Sequence, residues 1–374
     1  MAIRKILYTA STEIHLTSFH LPYLRWFNEH GFEVHVAYNG INSIPFADKV
    51  WNISFGRSPL DLNNWRAYKK LKKIINEHKY ELVHCHTPMA SIVTRLSTIK
   101  SRNKGTKVLY TAHGFHFFKG GPIKNWLLFY PIEKFMSKFT DAIITINKED
   151  FDLLYKKKFA STGKFKIFGI GLDPERLQIE KYDKKQLKKE LLFSDDDFIL
   201  LYIAEFIERK NHKFIIESIP PLINKYKNIK VLFAGGGILK DKMEKLAENR
   251  NIKNNVDFLG FRKDIGKYIS ITDIGISSSK QEGLGLGIAE IMYNGIPVVV
   301  SQDRGHRELV VNSKNGFVFE QENNASFLEY VEKLYLNEEL RNEMGSSAKK
   351  SIEKFLIDNS LKQMTTIYKK YIKV

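Results

Sequence analysis

The stretch Ser277-Ser-Ser-Lys-Gln-Glu282-Gly-Leu-Gly-Leu-Gly287-Ile-Ala-Glu290 contains the pattern on which the fold and function assignment depend. The apolar run 274–276 before it predicts a strand, and the segment up to Gly295 predicts a helix. Its three glycines let backbone N–H groups approach a ligand, and the start of a helix adds partial positive charge that favours a phosphate. We therefore expect an anion-binding turn at this point.

The two carboxylates of this stretch have different expected tasks. Glu282 lies on the loop before the helix and can accept hydrogen bonds from sugar hydroxyls. Glu290 lies more than one turn into the helix, where its two oxygens can accept from a ribose diol. The backbone of Gly283, Leu284, Gly285 and Leu286 would line the same ligand. A tight turn without a ligand and an exposed helix carboxylate are the alternative interpretations.

The rest of the chain alternates short apolar runs with longer amphipathic ones, which predicts an α/β protein with parallel sheets covered on both faces. Strands are expected at 6–10, 33–38, 82–86, 107–112 and 142–146, and then at 198–204, 230–235, 256–260, 274–279 and 297–300. A turn-rich passage from 168 to 174 interrupts the series. We therefore place one domain at 1–165, a second at 166–355, and a helix at 356–374 that packs back toward the first.

Length and composition agree with two folded domains. The chain has 374 residues, 43% hydrophobic and 27% charged, and no run approaches the ~20 apolar residues that span a bilayer. The first residues predict a strand rather than a signal peptide, so a cytoplasmic location is expected. The single cysteine, Cys85, excludes an internal disulfide and a cysteine-based metal cage.

The net charge of +17 is concentrated in the first half. Residues 1–160 hold 24 Lys and Arg against 12 Asp and Glu, whereas the remainder holds 35 against 30. A field of one sign attracts polyanions, so the first half is expected to contact anionic lipid headgroups, a lipid diphosphate or nucleic acid. A lysine-rich but merely solvated surface is the alternative.

The pattern of Glu282 and Glu290, with Asn294-Gly-Ile-Pro297 after it, resembles the donor-site signature of family 4 glycosyltransferases of the GT-B fold. Several separated motifs occur in the same order along essentially the whole chain. The resemblance implies two Rossmann-like, doubly wound domains facing each other across a cleft, with a nucleotide-sugar donor held mainly by the second domain.

The segment 204–212 is similar to the family's phosphate-binding loop, in which an arginine and a lysine grip the donor diphosphate. Lys210 matches the lysine, but Glu205 stands where the arginine is usual. Arg209 is our candidate to replace it. Cations would suit a diphosphate, and the expected loop contains no Asp-x-Asp metal motif, so neither a metal nor another cofactor is expected besides the nucleotide-sugar co-substrate.

Two further arginines follow predicted strands of the second half. Arg262 lies in a segment that resembles the family's loop beside the nucleobase. Arg304 lies in a segment that resembles the loop bordering the sugar pocket, where it is the residue expected to face an anion. A structural role for Arg304 is an equal alternative.

Histidines mark the first half. The resemblance implies that His113 orients the donor sugar and stabilises charge in the transition state, with a structural histidine as the alternative. Glu13, His15 and His116 are expected on the acceptor side, with a structural role as the alternative. The opening loop 11–22, like the segments 132–134 and 146–150, resembles the bacterial capsule and exopolysaccharide branch of the family. His84 and His86 alternate along a strand and are expected to point to opposite faces, which argues against a shared metal.

The resemblance implies transfer with retained anomeric configuration, in which the departing diphosphate helps to deprotonate the acceptor and no protein nucleophile is required. UDP is the expected nucleotide. The expected acceptor is a lipid-diphosphate-linked saccharide, reached through peripheral contact of the basic first domain and aromatic segments 115–118 and 126–130 with the inner face of the cell membrane. A nucleotide-sugar epimerase on the same fold and a nucleic-acid-binding module are the competing hypotheses, although no nucleic-acid-reading motif is present.

Overall fold

The computed structural model describes residues 3–56, 58–169, 171–177 and 183–374. The described chain divides into two compact units, Met1–Gly171 with Ile357–Val374, and Leu172–Leu356. The junction therefore falls a few residues after position 165. Ile170, in the turn-rich passage that signals the junction, lies outside the described residues.

The first unit contains a parallel sheet with strands in the order β3-β2-β1-β4-β5-β6-β7 among the described residues. Its strands are β1 Arg4–Thr9, β2 Phe32–Tyr38, β3 Lys49–Asn52, β4 Leu82–Cys85, β5 Lys107–Ala112, β6 Ala142–Thr145 and β7 Gly163–Lys166. Its helices before the junction are α1 Glu13–Phe19, α2 Leu21–Glu29, α3 Asn63–His78, α4 Pro88–Ser97, α5 Ile99–Arg102, α6 Ile123–Met136 and α7 Lys148–Lys156.

The second unit repeats this arrangement with strands in the order β10-β9-β8-β11-β12-β13. Its strands are β8 Phe198–Ile203, β9 Ile229–Ala234, β10 Val256–Gly260, β11 Ile274–Ser277, β12 Val298–Ser301 and β13 Gly316–Phe319. Its helices are α8 Lys184–Glu190, α9 His212–Ser218, α10 Pro220–Lys225, α11 Lys240–Asn249, α12 Ile265–Ile271, α13 Leu286–Tyr293, α14 His306–Leu309, α15 Asn324–Leu336 and α16 Glu338–Ile352.

Helices cover both faces of each sheet, which explains why the central strands are apolar at successive positions. Ile6, Leu7 and Tyr8 of β1 are all fully buried, as are Val298 and Val299 of β12. In each sheet the strand order reverses direction once, between β1 and β4 and between β8 and β11. Open parallel sheets bind ligands beyond the carboxyl ends of the strands at such a reversal, so each unit has one geometrically favoured binding region.

Proline explains the main differences between predicted and observed helices. The sequence predicts one helix over 211–225, whereas α9 ends at Ser218 and α10 begins at Pro220. The sequence also predicts a helix over 19–30, and the structure places there the single helix α2, Leu21–Glu29, with Pro22 in its first turn. Proline cannot donate the backbone hydrogen bond that would continue a helix, but it fits the first turn.

The last helix, α17 Ile357–Tyr368, belongs to the first unit. Tyr368 is buried there, and its hydroxyl hydrogen-bonds with the hydroxyl of Tyr8 and with Nδ1 of His84 at 2.9 Å. In the same helix, Oε1 of Gln363 accepts a hydrogen bond from the backbone N–H of Phe168, and Oγ of Ser360 donates one to its carbonyl. Helix α17 therefore packs within the first unit, in contact with residues of its sheet.

Candidate active site

The loops that follow β8 and β11 meet at the reversal point of the second sheet. Nζ of Lys210, in the short 3-10 helix Glu208–Lys210, donates a hydrogen bond to Oε1 of Glu282. The Lys210 and Glu282 side chains are only 14% and 9% exposed. The structure therefore brings together two residues that are 72 positions apart in the sequence. Both were expected, from the sequence, to contact the nucleotide-sugar donor.

Burial and charge act in opposite directions on Glu282. Burial raises the pKa of its carboxyl, but the charges of Lys210, His306 and Arg209 and the hydrogen bond from Lys210 outweigh burial, and the pKa lies below its usual value. Glu282 is therefore a carboxylate at neutral pH. In this form it is only an acceptor of hydrogen bonds, which suits both cations and hydroxyls.

Arg209 is the candidate to replace the phosphate-binding arginine that Glu205 displaces, and it lies beside Lys210. Its Nη1 lies 3.6 Å from Oε2 of Glu282 and donates to the carbonyl of Gln281 at 3.1 Å, while the side chain remains 47% exposed. Glu205, which stands at the usual arginine position, is exposed. The loop therefore presents two cations around one carboxylate, with Arg209 the more accessible of them.

Buried polar contacts fix the relative position of these loops. The hydroxyl of Tyr202, at the centre of the sheet, donates to the carbonyl of Lys210 at 2.5 Å and contacts Oγ of Ser279 at 2.9 Å. The backbone N–H of Lys280 donates to the carbonyl of Arg209 at 2.8 Å. The cation-bearing loop and the glycine-rich loop therefore form one connected structure. Tyr202 is a positioning residue that the sequence analysis missed, because as a strand residue it gives no motif.

The glycine-rich turn has the backbone that the sequence predicts. Gly285 caps the start of α13 with φ 94°, a left-handed conformation that favours glycine. A Cβ on Gly287 would lie 2.6 Å from the carbonyl oxygen of Ile203, so the helix packs directly on β8. Leu284 is buried, whereas Gly283 and Leu286 are half-buried. Glu290 follows one turn later on α13 and is also half-buried.

The loop after β12 supports Glu282 from its other side. The Asp303 carboxylate accepts from the backbone N–H groups of Glu282 at 2.8 Å and of Gly305 at 2.7 Å. Nε of Arg304 donates to the carbonyl of Glu282 at 3.3 Å, and Arg304 is only 4% exposed. Arg304 thus holds the Glu282 loop through its backbone, while its contact with an anion stays a prediction. Asp303 is a further supporting residue, recognisable only from the structure.

Arg262 pairs with an acid of its own loop. Its Nε and Nη2 donate to the two oxygens of Asp264 at 2.9 and 2.7 Å, and its guanidinium lies over the ring of Tyr268. Such a two-point pair fixes the plane of the guanidinium. Its proposed place beside a nucleobase stays a prediction.

In the first unit, His113 follows β5 and lies within a group of imidazoles. Its Nε2 is 3.3 Å from Nε2 of His15 and 3.2 Å from Nδ1 of His86. Burial, with smaller contributions from the charges of His15 and His84, lowers the pKa of His113 well below its usual value. His113 is therefore a neutral imidazole and can stabilise charge as a hydrogen-bond donor, but not as a cation.

The prediction that His84 and His86 point to opposite faces is wrong. Their ring centroids lie 4.1 Å apart, because side chains two positions apart along a strand share a face. His84 is hydrogen-bonded at both nitrogens, to Tyr368 and to Thr111. The sequence-based argument against a shared metal in this region therefore fails.

The other two acceptor-side candidates occupy separate places. Glu13 begins α1 and accepts a hydrogen bond from Nδ2 of Asn42 at 2.7 Å. His116 is half-buried, with its ring 4.7 Å from that of Phe129. Of these candidates only His15 lies beside His113, and the contact of any of them with an acceptor stays a prediction.

Two family matches cover most of the chain. The family described as Glycosyl transferase 4-like matches residues 5–147, and the family described as Glycosyl transferases group 1 matches residues 183–351. EpsD of Bacillus subtilis (strain 168) is 40% identical over 370 residues, covering 99% of this chain and 97% of that protein. The chain belongs to the family 4 glycosyltransferases.

Solved structures show the same fold for this glycosyltransferase. Anabaena HepE, solved in complex with UDP, has a TM-score of 0.78 at 16% identity, covering 98% of this chain and 100% of that one. A glycosyltransferase from Rickettsia africae has a TM-score of 0.78 at 18% identity, with both chains fully covered. These likenesses identify the GT-B fold, with two parallel-sheet α/β domains, as the sequence predicts.

A second relative of this glycosyltransferase has a name that states its donor and its acceptor. UDP-Gal:alpha-D-GlcNAc-diphosphoundecaprenol alpha-1,3-galactosyltransferase of Escherichia coli is 25% identical over 272 residues, covering 71% of this chain and 69% of that protein. Among the described residues, none of the helices combines the length and apolar character that crossing a bilayer requires.

Proposed function

We propose that this glycosyltransferase transfers a hexose or N-acetylhexosamine from a UDP-sugar, with retention of anomeric configuration, to a lipid-diphosphate-linked saccharide during assembly of a bacterial surface polysaccharide. The observation that carries the proposal is the grouping of Arg209, Lys210 and Glu282 beside the start of α13. Cations, backbone N–H groups and a carboxylate are the groups that a nucleotide diphosphate sugar requires.

The proposed donor contacts follow the chemistry of each group. Lys210 and Arg209 bind the diphosphate, together with the N–H groups of the turn around Gly285. Glu282 accepts from sugar hydroxyls, and Glu290 accepts from the ribose. Because two cations share this place, we propose that the donor diphosphate needs no metal ion there. HepE, in complexes with UDP and with UDP-glucose, supports the choice of UDP.

The proposed chemistry requires placement and charge stabilisation rather than a protein nucleophile. As the bond to the sugar breaks, negative charge grows on the departing diphosphate, where Lys210 and Arg209 stabilise it. The diphosphate accepts the acceptor's proton on the same face of the sugar, which preserves the anomeric configuration. His113 is proposed to orient the sugar as a neutral hydrogen-bond donor.

Two relatives support the proposed acceptor and pathway. The E. coli relative is named for transfer to GlcNAc-diphosphoundecaprenol. CapM of Staphylococcus aureus, named as a capsular polysaccharide biosynthesis glycosyltransferase, is 24% identical over 317 residues, 81% of this chain and 80% of that protein. A lipid-linked saccharide lies at a membrane surface, so the proposal requires a surface on the enzyme that binds one.

Helix α6 supports a peripheral contact with the cytoplasmic face of the membrane. Ile123 and Leu127, one turn apart, are 77% and 74% exposed, and Lys124 is exposed between them. Apolar side chains beside lysines suit an anionic headgroup layer. The aromatic segment 115–118 contributes less than the sequence suggested, since Phe115 and Phe117 are buried in the unit's core.

The test is a screen of UDP- and GDP-sugars for thermal stabilisation of the purified protein, followed by transfer assays with lipid-diphosphate-linked GlcNAc. The proposal expects a UDP-sugar to stabilise the protein and to give a product of the donor's anomeric configuration by NMR. Conversion of a UDP-sugar to its epimer without any acceptor would instead identify an epimerase. A product of inverted configuration would overturn the retaining mechanism.

A further inference from the structure

Among the described residues, four imidazoles converge at the carboxyl end of the first sheet. One ring nitrogen from each of His15, His20, His86 and His113 lies within 4.8 Å of the others. We call this group the four-histidine cluster. His15 and His20 lie on α1 and at its C-terminal cap, while His86 and His113 follow the neighbouring strands β4 and β5. The cluster is distinct from the cation and carboxylate site of the second unit.

The spacing within the cluster matches the requirements of a metal ion. Nε2 of His113 lies 3.3 Å from Nε2 of His15 and 3.2 Å from Nδ1 of His86. Zinc binds imidazole nitrogen at 2.0–2.1 Å in tetrahedral geometry, which places neighbouring ligand atoms about 3.3 Å apart. The rings of His20 and His86 also lie close, with centroids 3.9 Å apart.

Two ring nitrogens of the cluster have no hydrogen-bond partner among the described residues. His20 is almost fully buried, and its Nε2 has no partner in the described part of the chain. In His86, which is equally buried, the nitrogen without such a partner is Nε2, whereas Nδ1 is the one that faces His113. A buried polar nitrogen without a partner is energetically unfavourable. The neighbouring His84 differs, because Tyr368 and Thr111 satisfy both of its nitrogens. Within the residues that the structure describes, the cluster therefore contains buried ring nitrogens without partners, whereas His84 beside it does not.

The ligand atoms of the cluster also indicate which class of metal would fit. Metals bind the neutral imidazole. A set of nitrogen ligands without a carboxylate favours zinc or a similar transition metal over magnesium or calcium.

We propose that the four-histidine cluster binds one divalent transition-metal ion, with Zn²⁺ the best fit to its ligands and spacing. Nε2 of His113 would be a ligand, which leaves its Nδ1 as a donor toward substrate. A bound cation would provide at this position the positive charge that a neutral His113 lacks. The site is compatible with a metal-independent contact of the donor diphosphate in the second unit.

The experiment uses the full chain purified without a histidine tag, stripped with a chelator and dialysed. Zn²⁺ is titrated by calorimetry, and bound metal is counted by mass spectrometry after gel filtration. Co²⁺ is added in parallel, because its visible absorption reports tetrahedral nitrogen ligation independently of activity. The proposal expects one ion per chain, a tetrahedral Co²⁺ spectrum that Zn²⁺ abolishes, and a higher Tm with Zn²⁺.

The variant His86→Gln removes one ligand, and His84→Gln is the matched control, since His84 is equally buried but engaged elsewhere. Ligand loss is expected to weaken Zn²⁺ binding by more than the roughly 10–100-fold that changes outside the ligand shell produce. His84→Gln should retain the Co²⁺ spectrum. Unchanged Zn²⁺ affinity in His86→Gln, or no binding by the parent protein, would overturn the proposal. If His86→Gln does not fold, His15→Ala, at a half-buried ligand, provides the same comparison.

Discussion

Lys210 and Glu282 form a hydrogen-bonded ion pair whose members are 14% and 9% exposed. A charge pair so far from solvent keeps its strength because little water screens it, and removing either partner leaves the other charge uncompensated. A diphosphate would compete with Glu282 for the same ammonium group. Binding of the donor and formation of the ion pair with Glu282 would therefore compete for the ammonium group of Lys210.

Replacing Lys210 with alanine is expected to weaken UDP binding by roughly 10–100-fold, the loss that follows from removing a charge-assisted hydrogen bond of about 1.5–3 kcal/mol. Isothermal titration calorimetry measures the effect. Lys213→Ala is the control, because Lys213 is exposed on the next helix and pairs only loosely with Glu217, at 3.8 Å. Equal UDP affinity in Lys210→Ala and Lys213→Ala would contradict a diphosphate contact by Lys210.

Glu282→Gln is expected to separate nucleotide binding from transfer. Without the carboxylate, Lys210 and Arg209 are released to a diphosphate, so UDP should bind at least as tightly as in the parent. Transfer should fall by about 10²–10³-fold, as for loss of one preorganised polar contact in an active site. Calorimetry with UDP and a transfer assay give the two readouts. A parallel loss of UDP affinity would show that Glu282 acts on the nucleotide portion instead.

The Glu282 carboxyl should also make stability depend on pH. Its pKa in the folded protein is lower than the ordinary value of 4.5, so its contribution is fully present above that ordinary value and is lost as pH falls through the folded pKa. The difference in unfolding free energy between the parent and Glu282→Gln should therefore shrink as pH falls below about 4.5. Urea unfolding between pH 3.5 and 7 measures it, and a difference that does not vary with pH would contradict the assignment.

Gly285→Ala is expected to reduce both stability and UDP binding. Its φ of 94° strains any other residue by about 1–2 kcal/mol, and the added Cβ would lie 3.2 Å from the ring of His306. Gly105→Ala is the control, since Gly105 has a φ of 104° with open space around it. Both variants should lose similar unfolding free energy, whereas only Gly285→Ala should bind UDP more weakly. Unchanged UDP affinity in Gly285→Ala would contradict the proposal that the turn around Gly285 binds the donor.

The membrane proposal predicts that Leu127→Glu lowers binding to phosphatidylglycerol vesicles by roughly 10-fold or more, because an exposed leucine contributes about 1.5–3 kcal/mol when buried. Flotation at low and high salt measures the bound fraction, which should fall at high salt for the parent. Leu192→Glu changes a leucine of the second unit that is 93% exposed, and it should bind as the parent does. No binding of the parent to anionic vesicles would contradict the proposal.

Local sequence signals were sufficient for much of the fold. Buried central strands such as β1 and β8 are apolar runs in the sequence, because helices cover both faces of the sheet. The turn before α13 was also recognisable, because its left-handed backbone favours glycine and Gly285 stands there. The short strands β3, β7 and β13 lie at or near sheet edges and were missed. The edge strands β3 and β7 include lysines and are only partly buried, so they show no apolar run, whereas the equally short central strands β4 and β6 do.

The motif resemblance grouped Lys210 with Glu282, and the structure places the two side chains in contact, while their roles toward a donor stay a prediction. The site was not predictable where tertiary contacts decide the role. Asp303 holds the Glu282 loop through backbone hydrogen bonds, which leave no side-chain pattern in the sequence. The convergence of His20 with His86 and His113 depends on how β4 and β5 align, a register that composition does not encode.

The first unit includes α17 at the far end of the chain, and Tyr368 of that helix packs against Phe27 and hydrogen-bonds with Tyr8. During synthesis on the ribosome, the N-terminal sheet emerges long before the helix that covers this part of it. The second unit, which is continuous in sequence, can fold while the first still awaits its last segment. The N-terminal sheet therefore stays partly uncovered until residues 357–368 have been synthesised.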